Sequence, residues 1–158
     1  QVDHAKLLRI VETATLASSR NVADLVALTA RFNDPDPSVR YWAATGCSVL
    51  SAHASKQVSA LRKLLNDTSG AVQVAAAEAL YRIGRRDEGI RSLTAALNHP
   101  DIFVRVQALN ALQSIGGEGK SALPQVKALL PTVERTADES MTYDVRAART
   151  YVDTFGQP

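Results

Sequence analysis

Cys47 is the lone cysteine in the chain, which excludes an intrachain disulfide and a thiolate cluster for zinc but fixes no compartment. Aromatic residues are scarce at 5%, whereas 46% of the 158 residues are hydrophobic, chiefly Ala, Leu and Val. That balance favours closely packed helices over a β sandwich. No run of 18 or more apolar residues is present to span a bilayer, and no signal-peptide pattern follows Gln1, so a processed or excised chain is expected. Neither sign of charge dominates: 18 basic and 16 acidic residues leave a net +2. Such a mixture permits nucleic acid without implying it. A domain of this length buries roughly 70% of the surface its unfolded chain exposes, so a conventional core is within reach.

What the sequence does have is a period. Phe32, Leu65, Leu97 and Leu130 each close an apolar helix-like segment, at separations of 33, 32 and 33. Polar turns follow the first three: Asn33-Asp34-Pro35-Asp36, Asn66-Asp67-Thr68-Ser69 and Asn98-His99-Pro100-Asp101. Their Asn, Asp, Ser and Pro residues cap helices or fix φ. Seven residues after each closing position stands Val39, Val72 or Val104. Offsets of 4, 7, 8 and 11 from these valines give Ala43, Gly46, Cys47 and Leu50, then Ala76, Ala79, Leu80 and Ile83, then Ala108, Ala111, Leu112 and Ile115. Each set is one face of a 3.6-residue helix, and the recurrent small residues predict close packing between repeats.

The first helix of each pair is expected where Leu25 and Leu28, Leu61 and Leu64, and Ile90 and Leu93 lead to the closing residue, with a fourth over Ala122 to Leu130. Asn21 with Asp24 reads as a capped start, and Gly84 and Gly116 as helix ends. An opening helix from about Val2 to Ala17 carries Leu7, Leu8, Val11 and Leu16 and is expected to cap the stack. The last unit departs from the pattern: Val145 lies 15 residues after Leu130, an insertion of about eight over Thr132 to Thr142, and Arg149 and Asp153 stand where core residues are expected. The expected architecture is all-α, an α-solenoid of about four antiparallel helix pairs in a single domain, 1–158. Residues 1–20 form its capping helix, 21–52, 53–84 and 85–117 its repeats, and 118–158 a divergent terminal repeat.

The turn sequence Asp34-Pro35-Asp36-Pro37-Ser38-Val39-Arg40 resembles HEAT-like repeats of the PBS-lyase-like, armadillo-like kind. The resemblance implies a right-handed superhelix in which the turn acid and the following Arg form a ladder between repeats. Asp34 and Asp67 match the acid, and Arg40, Arg105 and Arg146 the base; His99 replaces the acid in the third unit and Gln73 the Arg in the second. The stretch from Leu8 to Ala14, followed by Asp36-Pro37-Ser38-Val39-Arg40-Tyr41-Trp42-Ala43-Ala44-Thr45-Gly46, is similar to the C-terminal HEAT-like extension of bacterial sulfatases. That likeness implies a periplasmic or secreted setting; without it a cytoplasmic one is expected. The formylglycine signature of sulfatases needs Pro and Arg after the Cys or Ser, and Cys47-Ser48-Val49-Leu50-Ser51 has neither, so the likeness would put the active site in another domain.

No residue set for bond-making emerges. Ser114 to Ser121 is one residue short of a P-loop and follows a helix rather than a strand. Asp34, Asp36 and Ser38 have calcium-loop spacing, but Val39 sits where Gly is required and Thr45 where Glu is. His4, His53 and His99 lie on different units and none adjoins a Glu, so no metal and no cofactor is expected. Asn66-Asp67-Thr68 is an N-glycosylation sequon, meaningful only in a secreting eukaryote. The chain alone is therefore expected to be a non-catalytic scaffold, holding another domain of its own polypeptide or a protein partner through the opening helix and Tyr41-Trp42. Tyr41 and Trp42, just off the core stripe, are an aromatic pair suited either to anchoring that partner or to packing against the opening helix. Arg82, Arg85, Arg86 and Arg91 cluster about Gly84. Arg82, Arg85 and Arg86 with Arg105 give the alternative, a binder of nucleic acid or a sulfated polyanion. It is the weaker reading, because Asp87 and Glu88 interrupt the cluster and few aromatics are available to stack bases.

Overall fold

In the computed structural model the described residues are 3–134 and 143–156, and among them every regular element is helical. The opening segment forms α1 (His4–Ser18), started by Asp3, whose carboxylate accepts from the Lys6 N–H at 3.0 Å. Val2 lies outside the described residues. A short 3₁₀ turn capped by Asn21 leads into α2 (Leu25–Ala30). Next comes α3 (Pro37–Leu50), where Asp36 accepts from the Ser38 N–H at 2.7 Å and Pro37 sits at the first turn, where its missing N–H costs nothing.

The second pair is α4 (Val58–Leu64) and α5 (Gly70–Arg82), followed by α6 (Arg86–Ala96), α7 (Ile102–Ile115), α8 (Leu123–Glu134) and α9 (Tyr143–Phe155). Gly84 and Gly116 follow the ends of α5 and α7 with φ of 104° and 76°, the left-handed region that Gly enters without penalty. Helix α8 runs four residues past Leu130, where its expected end lay, and most of the inserted segment, 135–142, lies outside the described residues.

The chain divides into two compact units, Gln1–Gly89 and Ile90–Pro158, with the boundary inside α6. In the first, α3 packs against both α1 and α5, while α2 lies on α3 and α4 on α5. The stripe read from the sequence is the core here. Val39, Ala43 and Cys47 are fully buried, as are Val72, Ala76, Ala79 and Leu80, and Leu28 and Leu61 enter from the shorter helices. Each buried Leu or Val side chain contributes about 1.5–3 kcal/mol. Small residues set the spacing: a Cβ on Gly46 would lie 2.7 Å from Leu28 Cδ1 and 3.1 Å from Ala17 Cα, so only glycine lets α1 and α2 approach α3 this closely.

In the second unit α9 packs against both α7 and α8. Arg149 and Asp153 are exposed, as expected of a terminal helix, but the opposite face buries Val145, Ala148 and Tyr151. Among the described residues Tyr151 is the largest fully buried side chain, and its hydroxyl donates to the Gly119 carbonyl. Gly119 belongs to the 3₁₀ stretch Gly116–Ala122, the Gly-rich segment following α7.

Candidate functional site

Two kinds of surface are candidates: the polar turns and the apolar flank of α1. At the turns the structure places a side chain from the following helix back over the turn at a constant offset of six. Arg40 Nη1 donates to the Asp34 carbonyl at 2.8 Å, Gln73 Nε2 to the Asp67 carbonyl at 2.6 Å, and Arg105 Nη1 to the His99 carbonyl at 2.7 Å. Gln73 thus keeps the arginine's local role although it cannot form an ion pair. The turn residue itself accepts the N–H two residues on: Asp34 from Asp36 at 2.9 Å, Asp67 from Ser69 at 2.8 Å, and His99, through Nδ1, from Asp101 at 3.0 Å. An imidazole nitrogen therefore replaces the carboxylate in closing the third turn.

The arginines reach on to the next acid. Arg40 grips Asp67 with Nε and Nη2, both at 2.7 Å, and Arg105 meets Asp144 Oδ2 at 2.9 and 2.7 Å. Burial acts to raise the Asp67 carboxyl, but the Arg40 hydrogen bonds, the Ser69 N–H and the Arg40 charge outweigh it and hold its pKa below the usual value. The same hydrogen bonds raise Arg40 against the opposing effect of burial.

Two pairs from α1 precede these. Arg9 Nε lies 3.4 Å from Asp34, and Lys6 Nζ lies 2.7 Å from Asp36. The Lys6 hydrogen bond, with those from Ser38, lowers the Asp36 carboxyl to about 2 although burial opposes it. Sequence reasoning missed Lys6, Arg9 and Asp144. The signal for Arg9 was its distance from Asp34, close to the 27 residues between Arg40 and Asp67, whereas Asp144 is 39 residues from Arg105 across the insertion. Arg146, expected as a third base, lies over the Tyr143 ring at 5.2 Å.

Tyr41 and Trp42 meet edge to face, with centroids 5.6 Å apart and planes at 76°. Both are half-buried and pack against the core of the first unit. The freely exposed apolar side chains of that unit lie elsewhere: Val22, Val26 and Val49 singly, and three together on α1. Leu7, Leu8 and Val11 on α1 are 50%, 60% and 53% exposed, because α1 turns Thr13, Leu16 and Ala17 inward. Leu7, Leu8, Val11 and Leu16, expected to cap the stack together, therefore do not share one face on the core: Leu16 packs inward and the other three look outward. Two open grooves flank them, one of 400 Å³ lined by Leu8, Val11, Glu12, Thr15, Leu16 and Arg31, the other of 490 Å³ lined by Val11, Ala14, Thr15, Ser18 and Ser19.

The basic cluster is interleaved with acids. Arg82 lies 3.3 Å from Glu78, and Arg62 holds Glu88 through two hydrogen bonds of 2.8 Å. Arg105 belongs to the other unit, where Asp144 engages it. Cys47 is buried and its thiol is pushed up to about 12 by that burial, so it has no nucleophilic character near neutrality.

The family model for HEAT repeats matches residues 22–90, a segment running from the turn before α2 into α6. Repeats of this family commonly mediate protein–protein contact and are generally not enzymes. No curated protein matches the chain. Among the described residues no helix is long and apolar enough to cross a membrane.

Proposed function

We propose that the chain is a non-catalytic scaffold that holds a protein partner, or another domain of its own polypeptide, against the outer flank of α1. One observation carries this reading: Leu7, Leu8 and Val11 stand exposed and adjacent between two grooves on a helix whose other side is fixed by Arg9, Lys6 and the small-residue seam with α3. An apolar patch held by a rigid frame is what recognition by shape and desolvation requires. Tyr41 and Trp42, half-buried beside the core, brace that frame more than they reach a partner. The acids of the first turn, Asp34 and Asp36, are engaged by Arg9 and Lys6 of α1.

The finer reading is that the partner is the catalytic domain of a sulfatase, and it rests on the sequence likeness alone. A formylglycine signature encoded in the same gene would support it. For the scaffold itself, a photo-crosslinking residue placed at position 8 of the intact gene product in its native cells should give a protein adduct or an intramolecular link. The same residue at the exposed position 63 should give none. Equal labelling at both positions, or turnover of a substrate by the isolated chain, would remove the reading.

A further inference from the structure

From the repeat geometry we infer that the outer flank of α1 is a seat for an amphipathic α-helix that the described residues do not supply, a helix that inserts a leucine beside Thr15 as Leu28 of α2 inserts beside Gly46. This rests on the scaffold reading above and names the partner of the same surface.

The argument is one of register. Arg9 on α1 and Arg40 on α3 each pair with the acid of the next turn, Asp34 and Asp67. With these two arginines equated, Leu8, Glu12, Thr15 and Ser19 correspond to Val39, Ala43, Gly46 and Leu50. The four residues of α3 are buried, whereas the three of α1 and Ser19, its C-cap, are exposed, though the spacing of i, i+4, i+7 and i+11 is the same in both. The difference lies in what covers them. On α3 this face receives Leu28, whose methyl carbons occupy the space beside Gly46. On α1 the corresponding space is open, and Thr15, the counterpart of Gly46, lines both grooves. The unpartnered face thus continues the interface that α2 and α1 already form on α3, one step further along the stack.

The same comparison selects the occupant. A helix seated as α2 is would present apolar residues at the spacing of Leu25, Leu28 and Phe32, and those three face the core here. A second copy of the chain does not offer that face, because its own Leu28 is fully buried against its own α3. An anionic lipid surface gains no net charge attraction here, because Glu12 and Arg31, 3.7 Å apart, offset each other in the groove lining.

The probe is a fluorescein-labelled peptide of residues 21–34, held helical by a hydrocarbon staple joining positions 22 and 26, which are exposed in the folded chain. Titrated with the intact chain, its anisotropy should saturate with a dissociation constant on the order of micromolar. Thr15→Arg in the protein, or Leu28→Ala in the peptide, should weaken binding about tenfold or more, while Thr15→Ala in the protein retains it. Thr15 is exposed, so the melting curve of Thr15→Arg should overlay the wild type. Equal binding by the Leu28→Ala peptide would overturn the inference. So would a wild-type dimer in sedimentation that Thr15→Arg splits, which assigns the face to a second copy, or binding to phosphatidylglycerol vesicles that Thr15→Arg removes. If crosslinking from position 8 persists and is lost on Thr15→Arg while the stapled helix fails to bind, the helix falls and the scaffold stands. If the crosslink is absent as well, both fall.

Discussion

Arg40 and Asp67 are 27 residues apart in sequence and joined by two hydrogen bonds of 2.7 Å, with side chains only 12% and 7% exposed. The guanidinium also holds the carbonyls of Asp34 and Pro35, so one side chain ties the turn before α3 to the turn before α5. Replacing Asp67 with Ala leaves a mostly buried cation facing a hole, and the expected loss is about 2–3 kcal/mol. Arg40→Lys should recover little of it, because an ammonium cannot serve the carboxylate and both carbonyls together. Urea denaturation of the two variants checks both statements. An effect under about 0.5 kcal/mol for Asp67→Ala would contradict the first.

Acid should destabilise the first unit through Asp36. Its folded pKa of about 2 lies below the ordinary value of 3.8. The contribution is therefore complete above about pH 4 and is lost as pH falls toward 2. Lys6→Ala should narrow that window by bringing the folded value back toward the unfolded one. Asp36→Ala also removes the cap of α3, at a cost of about 1 kcal/mol at neutral pH. Thermal melts between pH 2 and 7 separate the two effects.

Alkali should act through Tyr151 and Cys47, both raised to about 12 by burial. Their stabilising share is whole below the unfolded values of 10.0 and 9.0 and is lost as pH climbs to about 12. Tyr151→Phe should flatten the upper part of that decline while costing about 1 kcal/mol at neutral pH for the lost hydroxyl bond to Gly119. Native Cys47 should resist a thiol reagent at pH 8 and react fully in denaturant. Rapid modification of the native protein would show that the interior of α3 opens.

Gly89→Ala should be among the most damaging single-methyl additions. A Cβ there would lie 2.6 Å from Tyr81 Cβ and 2.8 Å from both the Ala77 oxygen and the Tyr81 nitrogen. Two of these are backbone atoms that cannot turn aside. The expected cost is about 1–3 kcal/mol, read as a lower urea midpoint at unchanged slope. At Gly46 the nearest atoms are the methyls of Leu28, which can shift, but the Ala17 Cα at 3.1 Å cannot, so Gly46→Ala should also destabilise, though less than Gly89→Ala.

Helices α3, α5 and α7 were legible because their signal is local. The valine stripes and the small residues beside them repeat at a fixed offset, and burial follows that pattern. Helix ends at Gly84 and Gly116, and starts at Asp36 and Asp101, were equally readable, since a positive φ or a capping carboxylate acts within three residues. The candidate site was less so. Leu7, Leu8 and Val11 share a helix with Leu16, and nothing in their spacing says that α3 takes only Leu16 with Thr13 and Ala17. Tyr151 was hidden for a similar reason, since Arg149 and Asp153 marked α9 as a helix facing solvent and gave no sign of how deeply its other face is buried.

The sequence by itself determined the helices, their caps and the period of the stripe, because each depends on hydrogen bonds and side-chain spacing within a few residues. Only the tertiary structure decided which acid each arginine takes, as Arg105 reaching Asp144 shows, and which flank of α1 stays uncovered. Those outcomes depend on how closely one helix can approach another. At Gly46 that distance is set by a missing side chain and by Leu28 filling its place.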